Sequence, residues 1–261
     1  MKIIPLRINR ILSPGDDVIE AIIKAFEDHD IDPSTGDVLA VSVKVVSITM
    51  RYIVKLSEVE PSKEAISLSE RYGVRPELAE LIVRQGALVI GGVEGALATV
   101  SKGFLVGNAG IDRKNVGEGY VAIWPDDPDS IAKWIRENLH EVYGVDVGVI
   151  LVDSRVLPLR KGTVGFALGA SGIMPVRDYR HTKDLFGYEI RFTHQNILDE
   201  LASAAHLYMG EGREMTPFVY IKDAPIELCK ECTSMEANVG IDECLYLKQL
   251  RNLLDADEWN T

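Results

Sequence analysis

Long apolar runs are missing from this sequence of 261 residues. None reaches the roughly 18 residues that a membrane-spanning helix needs. The start of the chain does not resemble a secretory signal peptide, because Pro5 and Arg7 interrupt its first apolar segment. Both absences predict a cytoplasmic protein with no membrane partner. Hydrophobic residues make up 46% of the chain and charged residues 26%, a composition typical of globular proteins with a buried core.

Positive charge is also scarce. The chain has 28 Lys and Arg residues against 40 Asp and Glu residues, which gives a formal net charge of −12. Proteins that bind nucleic acids usually present a basic surface that neutralises phosphates. The charge balance therefore argues against a nucleic-acid partner. It does not exclude a small phosphorylated ligand, because a bound metal ion can reverse the local electrostatic field.

Cysteine is rare, with only Cys229, Cys232 and Cys244 present. An odd number of cysteines cannot form a closed disulfide framework, and cytoplasmic thiols are kept reduced. The sequence therefore favours free thiols. The alternative is a zinc site, because Cys229 and Cys232 have the spacing of half a zinc-binding motif and a further ligand could come from elsewhere.

Two common nucleotide-binding fingerprints are absent. The chain has no Gly-x-Gly-x-x-Gly after its first strand and no P-loop Gly-Lys-Ser/Thr. Strand-like and helix-like segments alternate without a clean βαβ repeat, so we predict an α+β fold with mixed β-sheets and packed helices. Helices are predicted at residues 16–26, from Ser62, and at 76–84, 127–143, 195–209 and 241–254. Strands are predicted at 37–50, 146–152 and 217–221, in a meander from 87 to 124, and as a strand or close-packed loop at 165–173.

Three polar sites follow predicted strands or helices. Asp112 lies in a polar turn, Asp153 and Ser154 follow a strongly hydrophobic strand, and Glu211 lies between two glycines after a helix. Hard divalent cations prefer oxygen ligands, and the ends of strands and helices are common positions for small-molecule sites. These four residues are therefore candidate metal ligands, a role that their spacing alone does not select. The alternative is that the two aspartates only cap helices or stabilise turns, as aspartate often does.

A second polar cluster extends from Arg177 to Arg191. Such a density of charge is compatible with a solvated face. It is equally compatible with a pocket for an anionic substrate, because arginine binds carboxylate and phosphate groups with two hydrogen bonds.

Taken in order, these segments resemble the coenzyme F-420-0:L-glutamate ligase (gamma-glutamyl ligase) family. The resemblance covers roughly residues 5–222, and its specificity lies in the order and spacing of short motifs. The motifs are Pro14-Gly15-Asp16-Asp17, Gly36-Asp37-Val38-Leu39, Asn108-Ala109-Gly110-Ile111-Asp112-Arg113-Lys114-Asn115, Asp153-Ser154, Pro158, Arg160, Gly162, Arg177-Asp178-Tyr179-Arg180, Lys183-Asp184-Leu185-Phe186-Gly187, Asp199-Glu200-Leu201-Ala202 and Met209-Gly210.

The resemblance implies a gamma-glutamyl-ligase-like α+β fold and a homodimer. It implies an amide ligase that activates a carboxylate as an acyl phosphate, which an amino group of L-glutamate then attacks. The co-substrate would be GTP or ATP, with Mg²⁺ or Mn²⁺. The acceptor would be coenzyme F-420 or a folate- or pterin-like carboxylate. Residues 1–222 would form this domain, of one or two closely packed subdomains. Residues 223–261 would form an extension with the two spaced cysteines and a helix.

The resemblance also assigns roles by position. Asp112 and Asp153 would bind one metal ion, Ser154 and Glu211 would help to bind a second, and Asn115 would contact the nucleotide. The candidate catalytic residues are Asp112, Asp153 and Arg160. The candidate nucleotide-binding residues are Lys44, Ser47, Asn115, Gly210 and Gly212.

The chain departs from the family pattern at several positions. Ile8-Asn9-Arg10-Ile11 replaces a Gly-Leu-Pro turn, Ile48 replaces a lysine, and Leu157 and Leu159 replace an arginine and a tryptophan. These changes remove cationic and aromatic groups that could hold an anion or stack on a ring. The second hypothesis is therefore a non-catalytic paralogue that keeps the fold and binds metal or ligand without turnover.

Overall fold

The computed structural model describes residues 1–249 and has the predicted α+β fold with mixed sheets. The strands are β1 (Lys2–Leu6), β2 (Val38–Ser42), β3 (Ile53–Lys55), β4 (Leu88–Val93), β5 (Ala96–Ser101), β6 (Phe104–Gly107), β7 (Tyr120–Ala122), β8 (Gly148–Val156), β9 (Thr163–Ile173), β10 (Val176–Asp178), β11 (His194–Asn196), β12 (Phe218–Lys222) and β13 (Leu228–Cys229). The helices are α1 (Val18–Asp28), α2 (Val43–Thr49), α3 (Lys63–Tyr72), α4 (Pro76–Arg84), α5 (Pro128–Tyr143) and α6 (Ile197–Met209).

A six-stranded mixed sheet forms the centre of the fold. Its strand order is β1-β12-β2-β8-β9-β13. Strands β2 and β8 run parallel, and the other neighbouring strands pair antiparallel. Strand β12, from near the end of the chain, therefore lies between the first two strands.

Both faces of this sheet are buried under helices. Successive residues of a strand point to opposite sides, so one strand contributes to both cores. Leu39 and Val41 of β2 belong to the core under α1, α2 and α5. Val38 and Ala40 belong to the core under α6. Full burial of each Val or Leu side chain contributes on the order of 1.5–3 kcal/mol, so the two cores hold helices firmly on both faces.

A third core lies in the middle of the chain. It contains apolar side chains of α3, α4, β5 and β7, together with Ala109 and Ile111. The strands here form a separate three-stranded sheet, β4-β5-β6, and the pair β3-β7. Asp112 directly follows Ile111, so this core fixes the polar turn predicted to bind metal.

Local capping explains why most helices begin where the sequence predicts. The Asp17 side chain accepts hydrogen bonds from the amides of Ile19 and Glu20 at the start of α1. Ser62 caps α3 in the same way, and Asp127 caps α5. Pro76 occupies the first turn of α4, where its missing amide hydrogen costs nothing.

Two predicted strands have different bounds. The strand predicted at 37–50 ends at Ser42, and α2 follows. The run of β-branched residues favours a strand, yet Val43 and Val46 are buried on one helical face, so tertiary packing overrides the local preference. Strand β8 continues to Val156 instead of ending at residue 152, because it pairs with β9 along that length.

Helices α5 and α6 each bury one apolar face. Ala132, Ile135 and Leu139 are buried in α5, whereas Trp134 is 38% exposed. Leu198, Leu201 and Ala205 are buried in α6, whereas Tyr208 is exposed.

The C-terminal segment differs most from the prediction. Cys229 and Cys232 form a disulfide, so the expected free thiols and the zinc half-site are both wrong for this pair. The Cα atoms lie 5.5 Å apart, within the usual range for a disulfide. Cys244 is a free thiol. Of the helix predicted at 241–254, residues 241–246 form no helix and residues 247–249 are helical. The remaining residues of that prediction lie outside the described part of the chain. No helix within residues 1–249 is long and apolar enough to cross a bilayer.

Candidate metal and nucleotide site

Asp112 is positioned by a short backbone bridge. Its amide donates to the carbonyl of Ala122 at 3.0 Å, and its carbonyl accepts from the Ala122 amide at 2.8 Å. The Oδ1 atom of Asp112 accepts from the amide of Lys114 at 2.8 Å. The Oδ2 atom lies 2.8 Å from Nζ of Lys44, in the first turn of α2. The carboxylate is therefore fixed in orientation and already neutralised by a lysine.

Asp153 lies within β8, next to the buried aromatic core. The indole Nε1 of Trp124 donates to its Oδ2, and the amide of Ser154 donates to its Oδ1 at 2.8 Å. Burial raises the pKa of Asp153 to about 6, and the negative charge of Asp112 adds to this effect. The protein alone leaves this carboxylate poorly compensated, and a nearby cation would favour its charged form.

Glu211 has donors on both oxygens. Its Oε1 accepts from Oγ of Ser154 at 2.7 Å and from Oγ1 of Thr163 at 2.7 Å, and its Oε2 accepts from Nζ of Lys114 at 2.6 Å. Nε2 of His206 lies 3.3 Å from Oε1. Partial burial alone would raise the pKa of Glu211. The hydrogen bonds from Lys114, Thr163 and Ser154 outweigh it and lower the pKa to about 2. Glu211 is therefore ionised at neutral pH.

The turn that carries Glu211 depends on Gly210 and on backbone bonds of Gly212. Gly210 has φ 68° and ψ −173°, a conformation that is essentially restricted to glycine. A Cβ atom at Gly210 would lie 2.3 Å from the carboxyl carbon of Glu214. The amide of Gly212 donates to Oε2 of Glu214 at 2.8 Å, and its carbonyl accepts from Nδ2 of Asn115 at 2.9 Å. The turn after α6 is thus tied to the turn that carries Asp112.

A cleft of about 740 Å³ opens beside Glu211, which lines it. Asp112, which pairs with the lining residue Lys44, and Asp153 do not themselves line the cleft. Its volume lies within the usual range for small-molecule sites. Its walls come from the loop after β1, the start of α2, the 115–117 turn and the segment after α6. The lining includes the cations Arg10, Lys44 and Arg213, the apolar residues Ile8, Ile11, Val45 and Ile48, and the predicted ligand residues Asn115, Gly210, Glu211 and Gly212.

Two predicted site residues lie elsewhere. Ser47 is 1% exposed, and its hydroxyl donates to the carbonyl of Ile123 at 2.8 Å, so it packs α2 against the β7 segment. Arg160 lies on the exposed turn between β8 and β9, and within the described chain its guanidinium has no hydrogen-bond or ion-pair partner. The neighbouring Leu159 is fully exposed.

The donor set suits hard divalent cations. Asp112 with Asp153, and Ser154 with Glu211, offer only carboxylate and hydroxyl oxygens. Within residues 1–249, no three His, Cys, Asp or Glu side chains are arranged as one metal-binding group. A metal ion held by either pair of residues would therefore need most of its ligands from phosphate and water, as is usual for Mg²⁺.

Sequence reasoning missed several parts of this site. Thr163 and His206 contact Glu211, and Trp124 contacts Asp153. None of these contacts has a local sequence signal. Lys114 lies inside the quoted motif around Asp112, so an ion pair with a candidate carboxylate could have been suspected there.

Comparison with known proteins identifies a family for this sequence. The sequence model of a family described as F420-0:Gamma-glutamyl ligase matches residues 6–223. A protein of Methanopyrus kandleri named coenzyme F420:L-glutamate ligase is 40% identical over 229 residues, covering 87% of this chain and 89% of the relative. Proteins of the same name from Methanothermobacter thermautotrophicus and Archaeoglobus fulgidus are 36% and 34% identical. These matches cover 82% and 85% of this chain and 86% and 87% of those relatives.

Proposed function

Because this chain belongs to the F420-0:gamma-glutamyl ligase family, we propose that it joins L-glutamate to a carboxylate of coenzyme F420 or a related acceptor. The reaction would use GTP or ATP and Mg²⁺ or Mn²⁺. The names of the relatives support the acceptor and the amino acid. The observation that carries the proposal is a chain of contacts: Ser154, next to Asp153, donates to Glu211, and Lys114 joins Glu211 to Asp112. Glu211 lines a cleft that also contains Lys44 and Arg213.

The cleft residues support binding of a polyphosphate. Arg213 brings an unpaired positive charge to the cleft, whereas Arg10 and Lys44 are paired with Asp16 and Asp112 in the described part of the chain. Asp112 with Asp153, and Ser154 with Glu211, would hold the metal ions. Bound metal ions would neutralise the phosphates and align the transferred phosphoryl group.

The remaining steps follow from amide-ligase chemistry. An acceptor carboxylate oxygen attacks the terminal phosphorus, and the nucleoside diphosphate leaves. The glutamate amine then attacks the acyl carbon, inorganic phosphate leaves with its oxygen, and the amine loses a proton. The tethered 112–115 and 209–212 segments would hold the phosphoryl group in place during these steps, because both are cross-linked by side-chain hydrogen bonds.

The departure at Ile48 changes how the nucleotide would be held. Ile48 lines the cleft, where the family pattern has a lysine. We infer that phosphate binding depends more on Lys44 and on Arg213. The guanidinium of Arg213 has no hydrogen-bond or ion-pair partner in the described part of the chain.

We also infer that the protein forms a homodimer through the hairpin of β10 and β11. Its connecting segment leaves Leu185, Phe186, Tyr188 and Phe192 largely exposed. Such a cluster of exposed apolar side chains is unusual on a monomer surface and is typical of a protein contact. Replacement of Phe186 and Phe192 by Ser should convert a dimer into a monomer in light scattering. A double variant with the same mass as wild type would contradict this assignment.

The central test is metal-dependent phosphate release. Purified protein should release phosphate from GTP or ATP only when the F420 acceptor, L-glutamate and Mn²⁺ or Mg²⁺ are all present, and the product should gain a glutamyl group by mass spectrometry. Asp153→Asn should abolish turnover, because it removes a metal-ligand charge. Asp28→Asn, at the exposed end of α1, should not change the rate.

Nucleotide binding by wild type without turnover on any acceptor would favour the non-catalytic paralogue instead. Arg160, predicted to be catalytic, is exposed on a turn, and this position favours the non-catalytic hypothesis.

A further inference from the structure

Two proposed metal ligands already hold a cation of the protein itself. Nζ of Lys114 lies 2.6 Å from Oε2 of Glu211, and Nζ of Lys44 lies 2.8 Å from Oδ2 of Asp112. Each lysine therefore uses an oxygen that a divalent cation would need. Lys44 and Glu211 both line the cleft, so each of the two ion pairs has one member in the cleft wall.

A metal ion and a lysine cannot share these oxygens at low cost. Metal–oxygen distances of about 2.0–2.6 Å would bring the metal within about 5 Å of each ammonium nitrogen, where like charges repel. A metal ion that binds Glu211 or Asp112 must therefore displace the lysine, or lose part of its binding energy to that repulsion.

The geometry allows the lysine side chains to leave while the backbone stays in place. The amide of Lys114 is held by Asp112, and the next residue, Asn115, is held by the carbonyl of Gly212. The side chain of Lys114 is 57% exposed, so it has room on the solvent side when the ion pair opens. Ser154 and Thr163 donate to the other oxygen of Glu211, so the carboxylate keeps its orientation when Lys114 moves away.

We propose that Lys114 and Lys44 exchange partners during ligand binding. In the metal-free protein they neutralise Glu211 and Asp112. When divalent cations take these carboxylates, the two ammonium groups turn to the phosphate oxygens of the nucleotide. This inference rests on the proposed function. It makes metal and nucleotide binding mutually reinforcing, because each metal ion releases a cation that the nucleotide uses, and such coupling is reciprocal.

The exchange predicts opposite effects of one substitution on two ligands. Without nucleotide, Lys114→Met should bind Mn²⁺ about two- to fivefold more tightly than wild type, since a partly exposed competing ion pair is gone. With Mn²⁺ saturating, the same variant should bind GTP or ATP more weakly by a similar factor. Lys114→Arg keeps the charge and should remain close to wild type in both measurements.

The experiment is a titration of free Mn²⁺ by electron paramagnetic resonance, followed by nucleotide titration in a calorimeter. Lys24→Met is the matched control, because it removes a 2.7 Å lysine–carboxylate pair far from the cleft and should change neither affinity. Thermal unfolding confirms that each variant is folded. Mn²⁺ binding by Lys114→Met that is equal to or weaker than wild type would overturn the exchange and leave the proposed function intact. A wild-type protein that binds neither Mn²⁺ nor nucleotide would overturn both.

Discussion

Gly210 offers a sharp test of how the Glu211 turn is built. Its φ of 68° and ψ of −173° lie in a region that side chains essentially exclude. Substitution by Ala should therefore cost about 1–3 kcal/mol in backbone strain. The new Cβ would also collide with the Glu214 side chain, 2.3 Å from its carboxyl carbon. Because that side chain is flexible, the second cost is the loss of its hydrogen bond to the Gly212 amide, about 1 kcal/mol. We expect Gly210→Ala to lower the free energy of unfolding by about 2–4 kcal/mol in total.

Gly144 is the matched control. It also ends a helix with a positive φ of 70°, but its ψ is 17°, and a Cβ atom added there would have no neighbouring atom within 4 Å. Ala in this left-handed conformation costs about 1–2 kcal/mol, so Gly144→Ala should be the milder change. Urea unfolding followed by circular dichroism measures both variants. In a Glu214→Ala background, Gly210→Ala should lower the free energy of unfolding by less than it does in wild type, because the collision is then absent. If Gly210→Ala is no more destabilising than Gly144→Ala, the reasoning about this turn is refuted.

Two further predictions concern groups outside the turn. Hydrogen bonds from Ser62 and then Arg84 lower the pKa of Glu80 to about 2 from its ordinary 4.5, so this stabilisation is full above pH 4.5 and is lost as the pH falls towards 2. The stability gap between wild type and Glu80→Gln in urea unfolding should therefore narrow over that interval, and a pH-independent gap would contradict the assignment. Ser47→Ala removes a buried hydrogen bond to Ile123 and should cost about 1–3 kcal/mol of stability while nucleotide affinity, measured by calorimetry, stays unchanged. Weakened nucleotide binding by the folded variant would show that Ser47 takes part in nucleotide binding after all.

Local signals explain how much of the fold could be predicted. The starts of α1, α3 and α5 were predictable because Asp17, Ser62 and Asp127 cap them with bonds two or three residues away. The helix α2 was not, because its valines favour a strand and only the surrounding core selects the helix. The sheet order has no local signal, since pairing partners are distant in sequence.

The same distinction applies to the candidate site. The sequence makes Asp112 and Glu211 candidates, because glycines and polar turns mark their positions. The contacts of Lys114 and Thr163 with Glu211 span 97 and 48 residues, so no short pattern could reveal them. Ser47 was assigned by position in a motif, and position cannot show that a hydroxyl faces the interior.

The place of β12 in the central sheet has a consequence for synthesis of the chain. Strands β1 and β2 leave the ribosome early, but the strand that joins them ends at Lys222. Until it emerges, both strands have an unpaired edge that can pair with another chain. Pairing across such a long separation is also slow. Nascent or truncated chains that stop before Phe218 should therefore depend on a chaperone to stay monomeric, and the cleft can form only after Pro217 has been synthesised.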